Sequence, residues 1–315
     1  MDIIVFTFNA VVPLFIMIGV GYVMRMVGLM SEDVAIRVNK ICFSVMLPCN
    51  LFYTIYKANL AVASLGVVGF SLMCFGVCVP VLCWFIPKVV KSRPQAGSVI
   101  QATYRSNTIL LGMPIMVNIF GAENTTPMAL IATFIVPSYT VISVIVLSMF
   151  SSENEGRKID LKDLIEKIFK NPMTISAIIG IAVNLIGIRL PTLIEKPISD
   201  LSLIASPLAM MALGARFNLR SLKRNRTAVA LASAFKLLIM PAIVTGGAVI
   251  AGYRGPELGA LLISTGCPQA VAAVAMADAM GCDGELAGEI MVTTSLLSCF
   301  TLFAWLCVMQ FAGFM

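Results

Sequence analysis

The chain has 315 residues, 59% hydrophobic and only 12% charged, with a formal net charge of +6 and no histidine. Soluble domains run near 45–50% apolar and about 25% charged, so this composition excludes an ordinary soluble domain. Its apolar runs are uniform instead of alternating every second residue, which excludes a transmembrane barrel and leaves an all-α polytopic membrane protein.

Met1 and Asp2 supply no basic stretch ahead of the first apolar run, so that run is expected to stay as a span and not to be cleaved as a signal. Ten spans of about twenty mostly apolar residues are predicted. They cover roughly 5–25, 38–57, 62–87, 96–120, 127–150, 172–190, 197–216, 228–252, 257–281 and 286–312. Span 2 is the most polar, with Asn39 and Lys40 in its first turn and Pro48 and Asn50 at its middle. Eight of the nine cysteines fall inside apolar runs and are read as packing residues; with no histidine, no spacing resembles a metal site. No cofactor and no nucleic-acid partner are expected.

The one sizeable loop, 151–171, mixes acids and bases with Leu161, Leu164, Ile165 and Ile168 at amphipathic spacing, which predicts a short interfacial helix. With the N-terminus outside, sixteen basic residues flank cytoplasmic loops, against Lys57, Arg189, Lys196 and Arg254 outside. The positive-inside rule then puts both termini on the extracytoplasmic side. Arg105 and Lys236 are left over, each about eight or nine residues into a span and so close to the midplane.

Five spans on each side of the loop give two halves of opposite polarity, the arrangement of inverted-repeat transporters: 1–150, a connecting loop 151–171, and 172–315. Sequence marks recur at a near-constant offset. Pro48 matches Pro207, Asn59-Leu60 matches Asn218-Leu219, and Pro80 matches Pro241. Gly121 matches Gly281, while Thr133 and Ser138 match Thr293 and Ser298. Spans 4 and 9 are each interrupted near the middle, at Arg105-Ser106-Asn107-Thr108 through Gly112-Met113-Pro114 and at Gly266-Cys267-Pro268-Gln269. Freed backbone groups are tolerated at that depth only beside a cavity or a protein partner, and two crossed broken helices point to a substrate site.

The candidate binding residues are accordingly Arg105, Ser106, Asn107, Thr108, Pro268 and Gln269, with Asn50 facing them from span 2. Arg105 is read either as a carboxylate ligand or as support for the crossing. Asn50 is read either as a site residue or as a polar contact between helices. Lys236 is read as support, or as a surrogate for a cation, because a charge at that depth is expensive unless it has a task. Asp278 and Glu289 are read as solvated helix ends, and Asp200 as an acid at the start of span 7. Signatures of an intramembrane enzyme or of a nucleotide-driven pump are missing from the sequence, so no catalysis is expected.

The segments SNTILLGMPI (Ser106–Ile115), SPLAMMALGARFNL (Ser206–Leu219) and CPQAVAAVAMADAMG (Cys267–Gly281) resemble the auxin efflux carrier family in its short prokaryotic form, and the likeness runs along essentially the whole chain. The resemblance implies a fold shared with bile-acid/sodium symporters and sodium–proton antiporters. It implies a dimerising scaffold of spans 1, 2, 6 and 7 and a transport domain of spans 3–5 and 8–10. Asn107 would be the crossover asparagine and Pro268 the span-9 proline. The function it implies is elevator-type transport of a small organic anion, an auxin-like monocarboxylate or a malate- or malonate-like dicarboxylate, across the plasma membrane by a homodimer. The alternative is a sodium- or proton-coupled carrier of a bile-acid-like or other organic acid.

Overall fold

The computed structural model describes residues 2–57, 65–152, 161–217 and 224–315. Among these residues it is all-helical, with no strand and one isolated β-bridge. The helices are α1 (Asp2–Met26), α2 (Glu32–Tyr56), α3 (Leu65–Val89), α4 (Arg93–Tyr104), α5 (Met113–Phe120) and α6 (Thr126–Phe150). They continue with α7 (Leu161–Lys170), α8 (Pro172–Ile186), α9 (Thr192–Arg216), α10 (Arg226–Ile250), α11 (Gly255–Gly266), α12 (Val271–Ala279) and α13 (Gly284–Phe311).

Six of these, α2, α3, α6, α9, α10 and α13, are long and apolar enough to cross a membrane; α8 and the Phe15–Met26 part of α1 are apolar but shorter. The helices at predicted spans 4 and 9 fall into two pieces each, α4 with α5 and α11 with α12. Helix α7 occupies the connecting loop, as its amphipathic spacing predicts. The Asn59-Leu60 and Asn218-Leu219 marks, and the basic residues Arg157, Lys158, Arg220 and Lys223, lie outside the described residues.

Caps fix several helix starts. Ser31 accepts from the Val34 amide, Asn171 from the Met173 and Thr174 amides, and Asp283 from the Leu286 amide, each satisfying an amide that has no partner within its helix. Prolines shape the interiors. A proline removes one backbone donor and pushes against the carbonyl four residues earlier, and a widened π-turn is one way to absorb both effects. Such turns, Cys42–Met46, Thr108–Gly112 and Phe235–Ile239, end two residues before Pro48, Pro114 and Pro241. In each, the next amide reaches back five residues, as Met240 does to the Phe235 carbonyl. Pro241 also frees the Leu237 carbonyl, which the Trp305 indole N–H of α13 takes at 3.0 Å.

Two buried clusters divide the interior. One gathers α3, α4, α6, α10, α11 and α13 around residues such as Phe75, Ile100, Ile131, Met240, Leu261 and Leu302. The other joins α1, α2, α8 and α9 to one side of α6, α12 and α13 through Ile18, Leu51, Met210, Val274 and Met291. Helices α1 and α9 touch backbone to backbone. A Cβ on Gly21 would lie 1.9 Å from the Met211 carbonyl oxygen, and one on Gly214 would lie 1.9 Å from that of Ile18. Small residues permit this approach, and dispersion then acts along both backbones.

Three sequence expectations need correction. Asp278 is not a solvated helix end: Arg216 holds it by 2.7 and 3.2 Å contacts, and Asn39 adds a 3.0 Å hydrogen bond. Glu289 is buried and accepts a hydrogen bond from Asn225 at 3.0 Å. Helix α9 begins at Thr192, so Asp200 lies two turns inside it and pairs with Lys196 instead of sitting at its start. For Asp278 and Glu289 the partners that decide the environment, Arg216 and Asn225, lie 62 and 64 residues away in sequence.

Candidate functional site

The two helix breaks meet. Past α4, residues 105–107 leave the helix; past α11, residues 267–270 do the same. The two segments run antiparallel, with a bridge between Ser106 and Gln269. The Asn107 amide donates to the Pro268 carbonyl at 2.8 Å, and the Ala270 amide donates to the Arg105 carbonyl at 3.0 Å. Backbone groups that a broken helix would leave unpaired in an apolar interior thus satisfy one another. Pro268 contributes its carbonyl, and the Gln269 amide goes to the Thr294 hydroxyl of α13 at 3.2 Å.

Beside the crossing lies a cavity of about 70 Å³, room for about five waters or a small anion. Arg105, Ser106, Asn107, Thr108 and Ile109 line one side, with Ala270, Val271 and Ala272 next to them. Asn50, Tyr139, Met173 and Ser206 contribute from α2, α6, α8 and α9. Its lining therefore includes the first residues of α12 and of the helical run Thr108–Phe120, two helix N-termini whose partial positive charge favours anions.

Arg105 is buried. Its Nη1 donates to the Ser143 hydroxyl at 3.3 Å and lies 2.9 Å from the Met276 sulfur. Tyr104 shares Ser143 at 2.9 Å. Among the described residues no carboxylate pairs with this guanidinium. Lys236 is also buried, in the π-turn of α10, and its ammonium donates to the Ser106 hydroxyl. It therefore touches the crossing from behind and does not line the cavity.

The other predicted residues divide. Asn107 and Thr108 line the cavity, and the Thr108 hydroxyl is buried without a hydrogen-bond partner. The Gln269 side chain is fully buried, its amide oxygen and nitrogen both unpaired, and it is not among the lining residues. Asn50 lines the cavity while its amide nitrogen donates to the Ser202 hydroxyl at 2.9 Å and to the Ser202 carbonyl at 3.2 Å, so it also ties α2 to α9. Sequence reasoning missed Ser143, Met276, Tyr139 and Ser206. A hydroxyl in an otherwise apolar run, such as Ser143, was the available signal.

Helices long and apolar enough to cross a membrane, with two broken helices paired beside a cavity, are the build of a membrane transporter. The family model for "Membrane transport protein" matches residues 6–306. The chain belongs to that family, the family of the auxin efflux carriers. It is 25% identical over 311 residues to an "Uncharacterized transporter" of Methanothermobacter thermautotrophicus, covering 94% of this chain and 96% of that protein. A transporter of Methanocaldococcus jannaschii with the same description is 25% identical over 307 residues, covering 95% and 98%. Auxin efflux carrier component 3a of Oryza sativa subsp. japonica is 29% identical over 111 residues, which is 33% of this chain and 18% of the plant protein.

Proposed function

We propose that this multi-pass membrane transporter carries a small organic anion, a mono- or dicarboxylate, at the cavity beside the paired breaks. The observation that carries the reading is the convergence of two helix N-termini on one small cavity that Arg105 also lines. Each is a preorganised positive feature in a region poor in water, where an anion gains most from it. Asn107 and Thr108 add neutral groups suited to a ligand that must be released. The size of the cavity favours a small anion over a bile-acid-like one.

On this reading the chain is two inverted five-span repeats, 1–150 and 172–315, joined by 151–171. Support comes from the paired breaks and from Gly121 and Gly281, which both take positive φ at corresponding helix ends. A transport domain of spans 3–5 and 8–10 has support in the core that these helices share. Helices α1, α2, α8 and α9 supply the scaffold, which pairs with a second copy, and substrate crosses by an elevator movement of one domain past the other. Both termini face away from the cytoplasm of a plasma-membrane protein. Asn107 and Gln269 bind the carboxylate, with Gln269 turning toward it from its buried position. Arg105 and Ser106 contribute further donors, Pro268 shapes the break, and Asn50 closes the site from the scaffold.

The test is a thermal-shift screen of the purified protein against mono- and dicarboxylates, followed by binding to Asn107→Ala. Losing one hydrogen bond to a charged group costs about 1.5–3 kcal/mol, roughly tenfold to 150-fold in affinity. A normally folded Asn107→Ala protein with unchanged affinity would remove Asn107 from the site. Stabilisation by no carboxylate would overturn the substrate class.

A further inference from the structure

A second groove lies on the surface of the helices, separated from the cavity at the paired breaks by the packed rings of Phe75 and Tyr139. Between α3 and α6 runs a groove of about 570 Å³, walled by Phe75, Gly76, Val79, Trp84, Ile142 and Met149. From Phe75 to Trp84 the groove follows α3 for nine residues, about 14 Å at 1.5 Å per residue. Half of a hydrocarbon core of about 30 Å is about 15 Å. The groove is one leaflet deep.

Three cations stand where α3 ends. Lys88 places its ammonium 2.9 Å from the centre of the Trp84 ring, on the wall of the groove. Arg93 donates to the Met149 carbonyl at 2.7 Å and lies over the Phe150 ring, which pins it at the end of α6. Lys91 stands between them in sequence. All three are exposed, and among the described residues none forms an ion pair. An apolar channel of leaflet depth ending in a cationic cluster is complementary to a molecule with an apolar tail and an anionic head.

We infer that this groove holds an acyl chain of an anionic phospholipid, whose phosphate is gripped by Lys88, Lys91 and Arg93. A basic residue near a membrane surface contributes about fivefold in affinity for anionic lipid, so the cluster makes the site selective for head-group charge. The groove supplies the depth and fixes one chain against Trp84. Gly76 offers a clean way to close it, because a Cβ added there would meet nothing within 4 Å.

The test uses the full chain in detergent, with tryptophan fluorescence titrated by phosphatidylglycerol or phosphatidylcholine carrying brominated acyl chains. Phosphatidylglycerol should quench at a concentration at least tenfold lower than phosphatidylcholine, and Trp84→Phe should remove that component. The double change Lys88→Gln with Lys91→Gln should narrow the gap between the lipids at least tenfold. Gly76→Phe should abolish the quenching without lowering the unfolding temperature. Equal quenching by both lipids, or a phosphatidylglycerol preference that survives both sets of changes, would overturn the site. Glycerol phosphate alone should not compete; full displacement by it would show a free-anion site and overturn the lipid assignment as well.

Discussion

Arg216, in the last turn of α9, grips Asp278 of α12 with both Nη atoms, at 2.7 and 3.2 Å, while Asn39 of α2 holds the same carboxylate at 3.0 Å. Both charged side chains are largely withdrawn from solvent, 16% and 22% exposed. Fork-to-carboxylate geometry of this kind is specific to arginine. On the scaffold and moving domain proposed above, the contact joins two scaffold helices to the moving one, and the proposed elevator movement would break it.

Asp278→Asn should therefore lower the unfolding free energy by about 1.5–3 kcal/mol, the usual worth of a charge-assisted hydrogen bond. Arg216→Lys should keep only part of that stabilisation, because an ammonium cannot make both contacts. Thermal unfolding of the purified variants checks both. If the contact holds one end state, cysteine pairs that face each other across α9 and α12 in this structure should cross-link faster in wild type than in Asp278→Asn. Equal rates would mean that the contact does not bias the movement.

A second prediction concerns Trp305 and the carbonyl that Pro241 releases. The indole N–H meets the Leu237 oxygen at 3.0 Å, so Trp305→Phe leaves a carbonyl without this donor while keeping an aromatic ring. The expected loss is about 1–3 kcal/mol. Restoring the backbone bond with Pro241→Ala in the Trp305→Phe background should recover part of the stability. A double variant no more stable than Trp305→Phe alone would show that the indole acts through packing.

The seam between α1 and α9 gives a third. Gly21→Ala and Gly214→Ala each drive a methyl group to 1.9 Å from a backbone oxygen on the facing helix, which cannot be relieved by turning a side chain. Each should cost about 3 kcal/mol or more through overpacking. Gly19→Ala, two residues away with nothing within 4 Å, should be neutral or slightly stabilising. Unfolding temperatures of the three variants decide the point. Similar values for Gly19→Ala and Gly21→Ala would mean that the helices separate easily.

Much of this architecture was legible in the residues. Gly112-Met113-Pro114 and Cys267-Pro268 announced two broken spans, because proline and glycine at such positions leave backbone groups to be satisfied elsewhere. The amphipathic spacing of the loop announced α7. What stayed hidden depends on partners distant in sequence. Asp278 and Arg216 are 62 residues apart, and nothing local to either separates a paired acid from a solvated one. Glu289 reads as a helix-end charge until α10 brings Asn225 to it. Gly21 and Gly214 look like any glycines in apolar runs; only the approach of the two backbones gives them a task. The prolines foretold irregular helices, but whether each would kink or widen into a π-turn was decided by packing around it.

The last prediction turns on Lys236, whose ammonium meets the Ser106 hydroxyl just past the C-terminal end of α4. A buried charge of this kind is costly, and among the described residues no carboxylate pairs with it. The negative end of α4 is a physical compensation at hand, since helix C-termini favour cations. Ser106 in turn is bridged to Gln269, so the lysine is fastened to the crossing itself. A cation supplied covalently in this way leaves no need for one taken from solution. Lys236→Ala should accordingly impair transport or stability, and wild-type uptake should be unchanged when sodium is replaced by potassium or choline. Lys236→Ala should also fare better in sodium than in choline if a free cation can take the vacated place. The decisive measurement is counterflow of a radiolabelled carboxylate into proteoliposomes in the three salts. A steep sodium dependence of the wild-type protein would show that the lysine does not stand in for a coupling ion, and its contact with Ser106 would then be structural alone.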